Sequence, residues 1–211
     1  YVDGKWKSDL LDKRDMHGLF LTPSVEKNLI SEIDNFVSLR PLYSAVQLSY
    51  KLGILLYGPP GTGKTTAIKT IAYEWQMDVY QIDVNDPSVN DHSIVKILNN
   101  LGSSNQKIVA IEDIDSAFAD KEKVAQETRS LPTALVGATV AKMEGVASPK
   151  FLTYSGLLQA LDGLCSNQTG VITIMSTNHI ERLGDAIMRE GRIDLRIYMG
   201  PCCRQQIEKM T

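Results

Sequence analysis

The residues most able to do chemistry are eight consecutive ones, Gly58 to Thr65, which fit the pattern G-x-x-x-x-G-K-[ST]. Glycines in such a loop let backbone N–H groups curl around an anion without Cβ clashes. A helix that begins near Lys64 would also point the positive end of its dipole at that anion. The pattern predicts that Lys64 reaches the β- and γ-phosphates of a nucleotide and that the Thr65 hydroxyl is a Mg²⁺ ligand. A plain glycine-rich turn is the alternative, but a chance match is expected in only about 1% of chains this long.

A second group of polar residues follows an apolar stretch at 108–111. These residues are Glu112, Asp113 and Asp115. One carboxylate beside a phosphate loop can hold Mg²⁺ through water, and a second can orient and deprotonate the attacking water. A solvated acidic loop is the alternative. The phosphate loop upstream in the same predicted sheet favours the catalytic interpretation.

Three further residues could take part in the same chemistry. Asn178 follows a predicted strand, where its side chain could reach the γ-phosphate or the attacking water, or simply cap a turn. Arg189 and Arg192 lie three residues apart. They could pair with local acids, or project towards the nucleotide of a neighbouring subunit as arginine fingers. Spacing alone leaves both alternatives open.

The elements that must position these residues alternate between strand and helix. Short apolar runs predict strands at 53–57, 78–83, 107–111, 171–176 and 195–199. Helical patterns lie at 64–75, 91–100, 155–164 (with Ser155 as a cap) and 181–190, after a first helix that begins at Thr22-Pro23 and stops near Arg40-Pro41. Such alternation indicates a parallel sheet covered on both faces. The segment 119–150 shows no clear strand and predicts an insertion.

Composition narrows the class of protein. The chain has 211 residues, 43% of them hydrophobic, and a formal net charge of −3 from 22 basic and 25 acidic residues. These values exclude a disordered chain and argue against a general nucleic-acid binder, which would carry a basic excess. No apolar run approaches the length of a membrane helix, but the chain begins at Tyr1, so an upstream anchor would not be visible. Three cysteines without a C-x-x-C pattern favour reduced thiols in a reducing intracellular compartment.

In this order, the phosphate loop, the acidic strand end, Ser-Thr-Asn and R-x-G-R resemble an AAA+ ATPase over about 21–199. The finer resemblance is to the Bcs-type branch, the mitochondrial inner-membrane ATPases that move the folded Rieske iron–sulfur protein. Four stretches carry this finer resemblance: 53–61, 111–118, 154–163 and 177–183.

The resemblance implies an α/β phosphate-loop NTPase fold, with a five-stranded parallel sheet, helices on both faces and a largely missing helical lid. It divides the chain into a lead-in segment at 1–21, an AAA+ large subdomain at 22–200 that contains the 119–150 insertion, and the start of a truncated lid at 201–211. It also implies Mg²⁺-dependent ATP hydrolysis by a homo-oligomeric ring that remodels or translocates a folded protein client.

The resemblance assigns roles residue by residue. ATP would be bound by Gly58, Pro59, Pro60, Gly61, Thr62, Gly63, Lys64, Thr65 and Thr66. Mg²⁺ would be held by Thr65 and, partly through water, by Glu112. Asp113 would activate water and Asn178 would be the polar sensor. Arg189 and Arg192 would act in trans.

The sequence departs from the usual family pattern at three places. The acids are in the order Glu112-Asp113 where most members have Asp-Glu, so the residue that would activate water has a side chain one methylene shorter. Glu190 also lies between the two arginines. The segment 84–91 has no aromatic residue, which disfavours threading of an extended polypeptide and favours movement of a folded partner.

Other functions stay open. A non-hydrolysing, nucleotide-dependent scaffold or switch is the main alternative to an ATPase. A GTPase would need N-K-x-D, and a nucleic-acid motor would need a basic stripe; neither pattern is present, so no nucleic-acid partner is expected. The location would be the cytoplasm, or the matrix face of the mitochondrial inner membrane if an anchor lies outside this chain.

Overall fold

The computed structural model describes residues 21–46, 50–101, 106–116, 152–167 and 170–202. In these residues five parallel strands form one sheet in the order β2-β3-β4-β1-β5. The strands are β1 (Lys51–Tyr57), β2 (Asp78–Ile82), β3 (Lys107–Ile111), β4 (Val171–Thr177) and β5 (Leu195–Tyr198). The prediction of a five-stranded parallel α/β sheet is therefore confirmed.

Five α-helices and one short 3-10 helix accompany the sheet in the described residues. They are α1 (Pro23–Ser38), α2 (Arg40–Val46), α3 (Lys64–Glu74), α4 (Asp91–Asn99), α5 (Tyr154–Asn167) and the 3-10 helix Ile180–Arg182. None of the described helices is long and apolar enough to cross a membrane. The predicted insertion at 119–150 lies outside the described residues, as do nearly all of the lead-in segment and of the predicted lid.

The sheet is buried on both faces, which explains why its central strands are mostly apolar. Every residue of β3 and β4 is buried. On one face Leu55 and Val109 pack with residues of α4 and α5. On the other face Ile54 and Ile108 pack with residues of α1 and α3. The helices on both faces thus cover the sheet as the alternation of elements predicts.

Two local predictions need correction. The predicted helix at 181–190 is wrong, because only Ile180–Arg182 is helical, in 3-10 form. Gly184 interrupts the segment, and the bonds that follow span three residues, from Ile187 N–H to Gly184 O and from Met188 N–H to Asp185 O. The predicted cap of the helix at 155–164 is also wrong.

The start of α5 is capped by Thr153, whose hydroxyl accepts the Gly156 N–H at 3.0 Å. Thr153 is itself held by Asp91, the first residue of α4. The Asp91 carboxylate accepts the Thr153 N–H at 2.6 Å and its hydroxyl at 2.8 Å. One carboxylate therefore joins the first turns of the two helices that cover this face of the sheet.

We expect Asp91→Ala to lower the free energy of unfolding by about 1–3 kcal/mol, because it removes two hydrogen bonds to a charged acceptor and leaves the Thr153 N–H without its partner. Urea unfolding measures the effect. The matched control is the exposed neighbour His92, for which His92→Ala should stay within about 0.5 kcal/mol. Equal stability of the Asp91 and His92 variants would contradict a joining role for Asp91.

Candidate nucleotide site

The phosphate loop lies between the end of β1 and the start of α3. Gly61 and Gly63 have φ angles of 78° and 89°, a left-handed conformation that residues with a Cβ atom rarely adopt. Gly63 directly precedes α3, so the loop turns sharply and aims the first N–H groups of the helix at the loop interior. The local strand, loop and helix are those that the sequence predicts.

Lys64 is held inside this loop. The residue is only 7% exposed, and its Nζ donates to the carbonyl oxygens of Gly58 and Pro59, both at 2.8 Å. Burial lowers the pKa of Lys64, and the nearby carboxylates of Asp113 and Asp115 act in the opposite direction. The ammonium group therefore sits where the phosphates of a bound nucleotide would lie.

Thr65 and Glu112 meet beside the loop. The Thr65 hydroxyl donates a hydrogen bond to Glu112 Oε2. The other carboxylate oxygen, Oε1, accepts from Gln81 Nε2 at 2.8 Å. A hydroxyl and a carboxylate are hard oxygen donors of the kind that Mg²⁺ prefers. Their direct contact, next to a buried ammonium group, fits a site for a nucleotide-bound magnesium ion.

Asp113 has a different environment from its neighbour Glu112. Its φ is +48°, a left-handed conformation that aspartate tolerates better than most residues. The Asp113 N–H donates to Ser176 Oγ at 3.2 Å, and its carbonyl oxygen accepts the Ser116 hydroxyl at 2.7 Å. Its side-chain Oδ1 accepts from Asn178 Nδ2 at 3.1 Å. The turn therefore brings Asp113 and Asn178 together at the carboxyl ends of the neighbouring strands β3 and β4.

Asp115, the third acid, supports this arrangement from below the surface. It is 5% exposed; its Oδ1 accepts the Thr177 hydroxyl at 2.6 Å and the Asn178 N–H at 3.2 Å. These bonds fix the backbone at the end of β4 and thereby the position of the Asn178 Cα, from which its side chain extends. Of the three acids, Asp115 is buried and structural, while Asp113 is exposed and Glu112 half-buried.

The two arginines do not join this cluster. Arg192 makes a bidentate pair with Asp162 of α5: Nε donates to Oδ1 at 2.8 Å, and Nη2 donates to Oδ2 at 2.6 Å. Its side chain is 13% exposed. Of the two alternatives left open by the sequence, the structure shows local pairing for Arg192. Arg189 is exposed and makes no ion pair with another described residue.

The turn that carries the arginines is attached to the middle of β1. Asp194 Oδ1 accepts the Gly191 N–H at 2.9 Å, and its Oδ2 accepts the Gly53 N–H at 2.8 Å. Gly53 lies five residues before Gly58, or about 16 Å along a strand. The arginine turn is therefore remote from the phosphate loop of its own chain.

Sequence reasoning missed Gln81 and Ser176, both of which contact the acidic residues. Gln81 is exposed on the edge strand β2, and Ser176 is buried in β4. The sequence signal for both residues is a polar side chain near the carboxyl end of a strand that neighbours β3, the strand that the acids follow. This signal identifies a contact only when the strand order and the register are known.

The chain matches the family described as "ATPase family associated with various cellular activities (AAA)" over residues 54–201. It is 32% identical to the mitochondrial chaperone BCS1 of Bos taurus and 30% identical to that of Homo sapiens, each over 94% of this chain and 43% of the relative. An AAA-ATPase of Arabidopsis thaliana is 34% identical over 94% of this chain and 40% of the relative. The chain thus spans about two fifths of the length of these relatives. The predicted resemblance to the Bcs-type branch is confirmed.

We expect the Arg192–Asp162 pair to make stability depend on pH. Hydrogen bonds from Arg192 hold the pKa of Asp162 below its usual value of 3.8. The stabilisation is therefore fully present above pH 3.8 and is lost as the pH falls through the depressed pKa. Asp162→Asn should lower the free energy of unfolding at pH 7 by no more than about 1 kcal/mol, since the Asp162 side chain is 55% exposed.

Urea unfolding of both proteins between pH 7 and pH 3 measures this difference, with Asp185→Asn as a control on an exposed acid. The gap between wild type and Asp162→Asn should narrow at the acid end of the series. A gap that stays constant with pH would contradict the assigned pair.

Proposed function

The chain belongs to the AAA family of ATPases, and from that premise we propose that it hydrolyses ATP with Mg²⁺ within a ring that acts on a protein partner. The observation that carries the proposal is the meeting of two pairs, Thr65 with Glu112 and Asp113 with Asn178, beside the loop that buries Lys64. Phosphoryl transfer needs a cation at the phosphates, a metal site and a group that orients water. This edge of the sheet carries a residue suited to each task.

The loop and the first turn of α3 would bind the phosphates of ATP. Lys64 would exchange its two carbonyl partners for phosphate oxygens, which carry more negative charge. Thr65 and Glu112 would hold Mg²⁺, which when bound neutralises the charge that develops on the phosphates. Asp113 and Asn178 are already held together by a hydrogen bond within the chain.

Asp113 would orient the attacking water and accept its proton. Asn178 occupies Oδ1 of this carboxylate, and Oδ2 has no hydrogen-bond partner among the described residues. The Asn178 amide thereby fixes the carboxylate plane and leaves one oxygen for the water. Asn178 itself would sense the γ-phosphate, because its amide is held at the end of the strand that neighbours β1.

A ring of identical chains would complete the site. Arg189 and Arg192 are remote from the phosphate loop of their own chain, so a contribution to hydrolysis would have to be made to a neighbour. Arg189 is already exposed. Arg192 would have to exchange Asp162 for the neighbour's phosphate. A phosphate carries more charge than one exposed carboxylate, which makes this exchange physically reasonable.

For the partner, we infer a folded protein client. The relatives named mitochondrial chaperones support a protein as client, and the absence of an aromatic residue from 84–91 argues against threading. The same names support a mitochondrial location, with any membrane attachment through a segment outside this chain. We assign 22–200 to the AAA+ large subdomain with an insertion at 119–150, 1–21 to a lead-in segment and 201–211 to the start of the lid.

One observation favours the second candidate, a nucleotide-dependent scaffold that does not hydrolyse ATP. The arginine that would complete a neighbour's site is engaged within its own chain by two hydrogen bonds to Asp162. A scaffold would bind ATP through the same loop and keep this pair. An ATPase and a scaffold would therefore both bind ATP, but only the ATPase would hydrolyse it.

We expect Asp113→Asn to lower the rate of phosphate release by about 10²–10⁴-fold, because the amide cannot accept the proton of water. Its affinity for ATP should stay within about threefold of the wild type, since Asp113 is not placed to bind the phosphates. Steady-state phosphate release and equilibrium nucleotide binding measure the two effects. There are two controls. Lys64→Met should lose ATP binding, and Asp185→Asn, at an exposed acid, should keep both ATP binding and phosphate release. Unchanged turnover in Asp113→Asn would overturn the assignment.

We expect Arg192→Ala and Asp113→Asn, each with low activity alone, to regain activity when mixed in one ring. In the mixture an intact Arg192 can serve the intact Asp113 of its neighbour. Phosphate release as a function of the mixing ratio measures the rescue. Arg189→Ala in place of Arg192→Ala tests which arginine acts, and thermal unfolding confirms that loss of the Asp162 pair leaves the chain folded. A rate that never exceeds the sum of the two variants would exclude action in trans.

A further inference from the structure

We propose that Gln81 is a positioning residue for Glu112 and thereby sets the affinity of the nucleotide complex for Mg²⁺. The proposal rests on the proposed function, in which Glu112 is the metal-side acid. Gln81 would act on the metal site through Glu112 and not as a ligand of the ion. Its effect would pass through a single hydrogen bond, from its amide nitrogen Nε2 to Glu112 Oε1 at 2.8 Å.

The register of two strands brings these side chains together. Gln81 on β2 is opposite Ala110 on β3, and Glu112 lies two residues beyond Ala110. Side chains two residues apart on a strand share a face, so Gln81 and Glu112 are diagonal cross-strand neighbours. Such neighbours lie within reach of long side chains. The contact therefore follows from the pairing of β2 with β3 and from the position of Glu112 as the first residue after β3.

Gln81 completes the support of the carboxylate. Oε2 of Glu112 is taken by the Thr65 hydroxyl, and Oε1 is taken by Gln81. A hydroxyl can donate its hydrogen to Glu112 and still offer a lone pair to a metal ion, so both bonds can persist when Mg²⁺ is bound. The carboxylate is then fixed between the phosphate-loop helix and the edge strand.

Glutamate at this position needs such support more than aspartate would. It has one additional rotatable bond, so an unsupported side chain would sample more orientations, and ordering it at the metal would cost more entropy. The amide is suited to the task because it donates without a charge. A lysine or arginine at position 81 would neutralise the carboxylate and compete with the metal ion.

The test is a comparison of Gln81→Met with wild type. Methionine is close to glutamine in length and volume but has no N–H group, so it keeps the shape of the exposed side chain and removes the donor. The control is Gln159→Met, on an exposed residue of α5 that makes no described contact with Glu112. Thermal unfolding of all three proteins shows that each one is folded.

The first readout is Mn²⁺ binding to the ADP complex, followed by electron paramagnetic resonance, with Mn²⁺ in the place of Mg²⁺. Gln81→Met should weaken Mn²⁺ binding by about tenfold, the lower end of the range for residues that orient metal ligands. ADP affinity in the presence of EDTA should not change. The second readout is phosphate release as a function of Mg²⁺ concentration. The half-saturating Mg²⁺ concentration should rise by a similar factor, while the rate at saturating Mg²⁺ stays within about twofold.

Equal Mn²⁺ affinities of Gln81→Met and wild type would overturn the proposal, as would an equal loss in Gln159→Met. A lower melting temperature with unchanged Mn²⁺ affinity would also overturn it, since that is the result of a merely structural role. The binding readout does not need turnover. If wild type binds Mn²⁺ with ADP but releases no phosphate, ATP hydrolysis fails as a function, and the Mn²⁺ comparison still decides the role of Gln81.

Discussion

The register of three parallel strands determines where the main polar groups of the site lie. In the sheet Tyr57 of β1 is opposite Thr177 of β4, and Met175 of β4 is opposite Ile111 of β3. The phosphate loop, Asn178 and Glu112 each follow their strand at once and so meet at one edge. The register is itself set by packing, because a slip of one residue would exchange the side chains that fit against α4 and α5 with those that fit against α1 and α3. Packing far from the site therefore decides its geometry.

The acidic strand end shows how backbone conformation gives neighbouring carboxylates different tasks. Glu112 continues the direction of β3 towards α3 and reaches Thr65 with its longer side chain. Asp113 follows in a left-handed conformation, which turns its shorter side chain towards Asn178. Asp115 points inward and holds the end of β4. The order Glu-Asp is compatible with this division, since the longer acid spans the distance to the helix.

The parts of the site that depend on local sequence, or on a general rule of parallel sheets, could be predicted. The loop around Lys64 is a local motif, and the approach of Asn178 to Asp113 follows from the alignment of strand ends. Contacts that depend on register or on helix packing could not be predicted. The bond from Gln81 to Glu112 requires the pairing of β2 with β3, and the choice of Asp162 as the partner of Arg192 requires the position of α5. The false helix at 181–190 arose because its apolar spacing suits a helix, while Gly184 favours three-residue turns.

The central claim is that the groups gathered at this edge hydrolyse ATP with the help of Mg²⁺. It is tested most directly by phosphate release from ATP by the full-length natural protein, measured with excess Mg²⁺ and again with the metal removed by EDTA. The structure predicts release that is well above background with Mg²⁺ and falls to background without it. Tight ATP binding with no release above background under either condition would contradict the claim and leave a nucleotide-dependent scaffold.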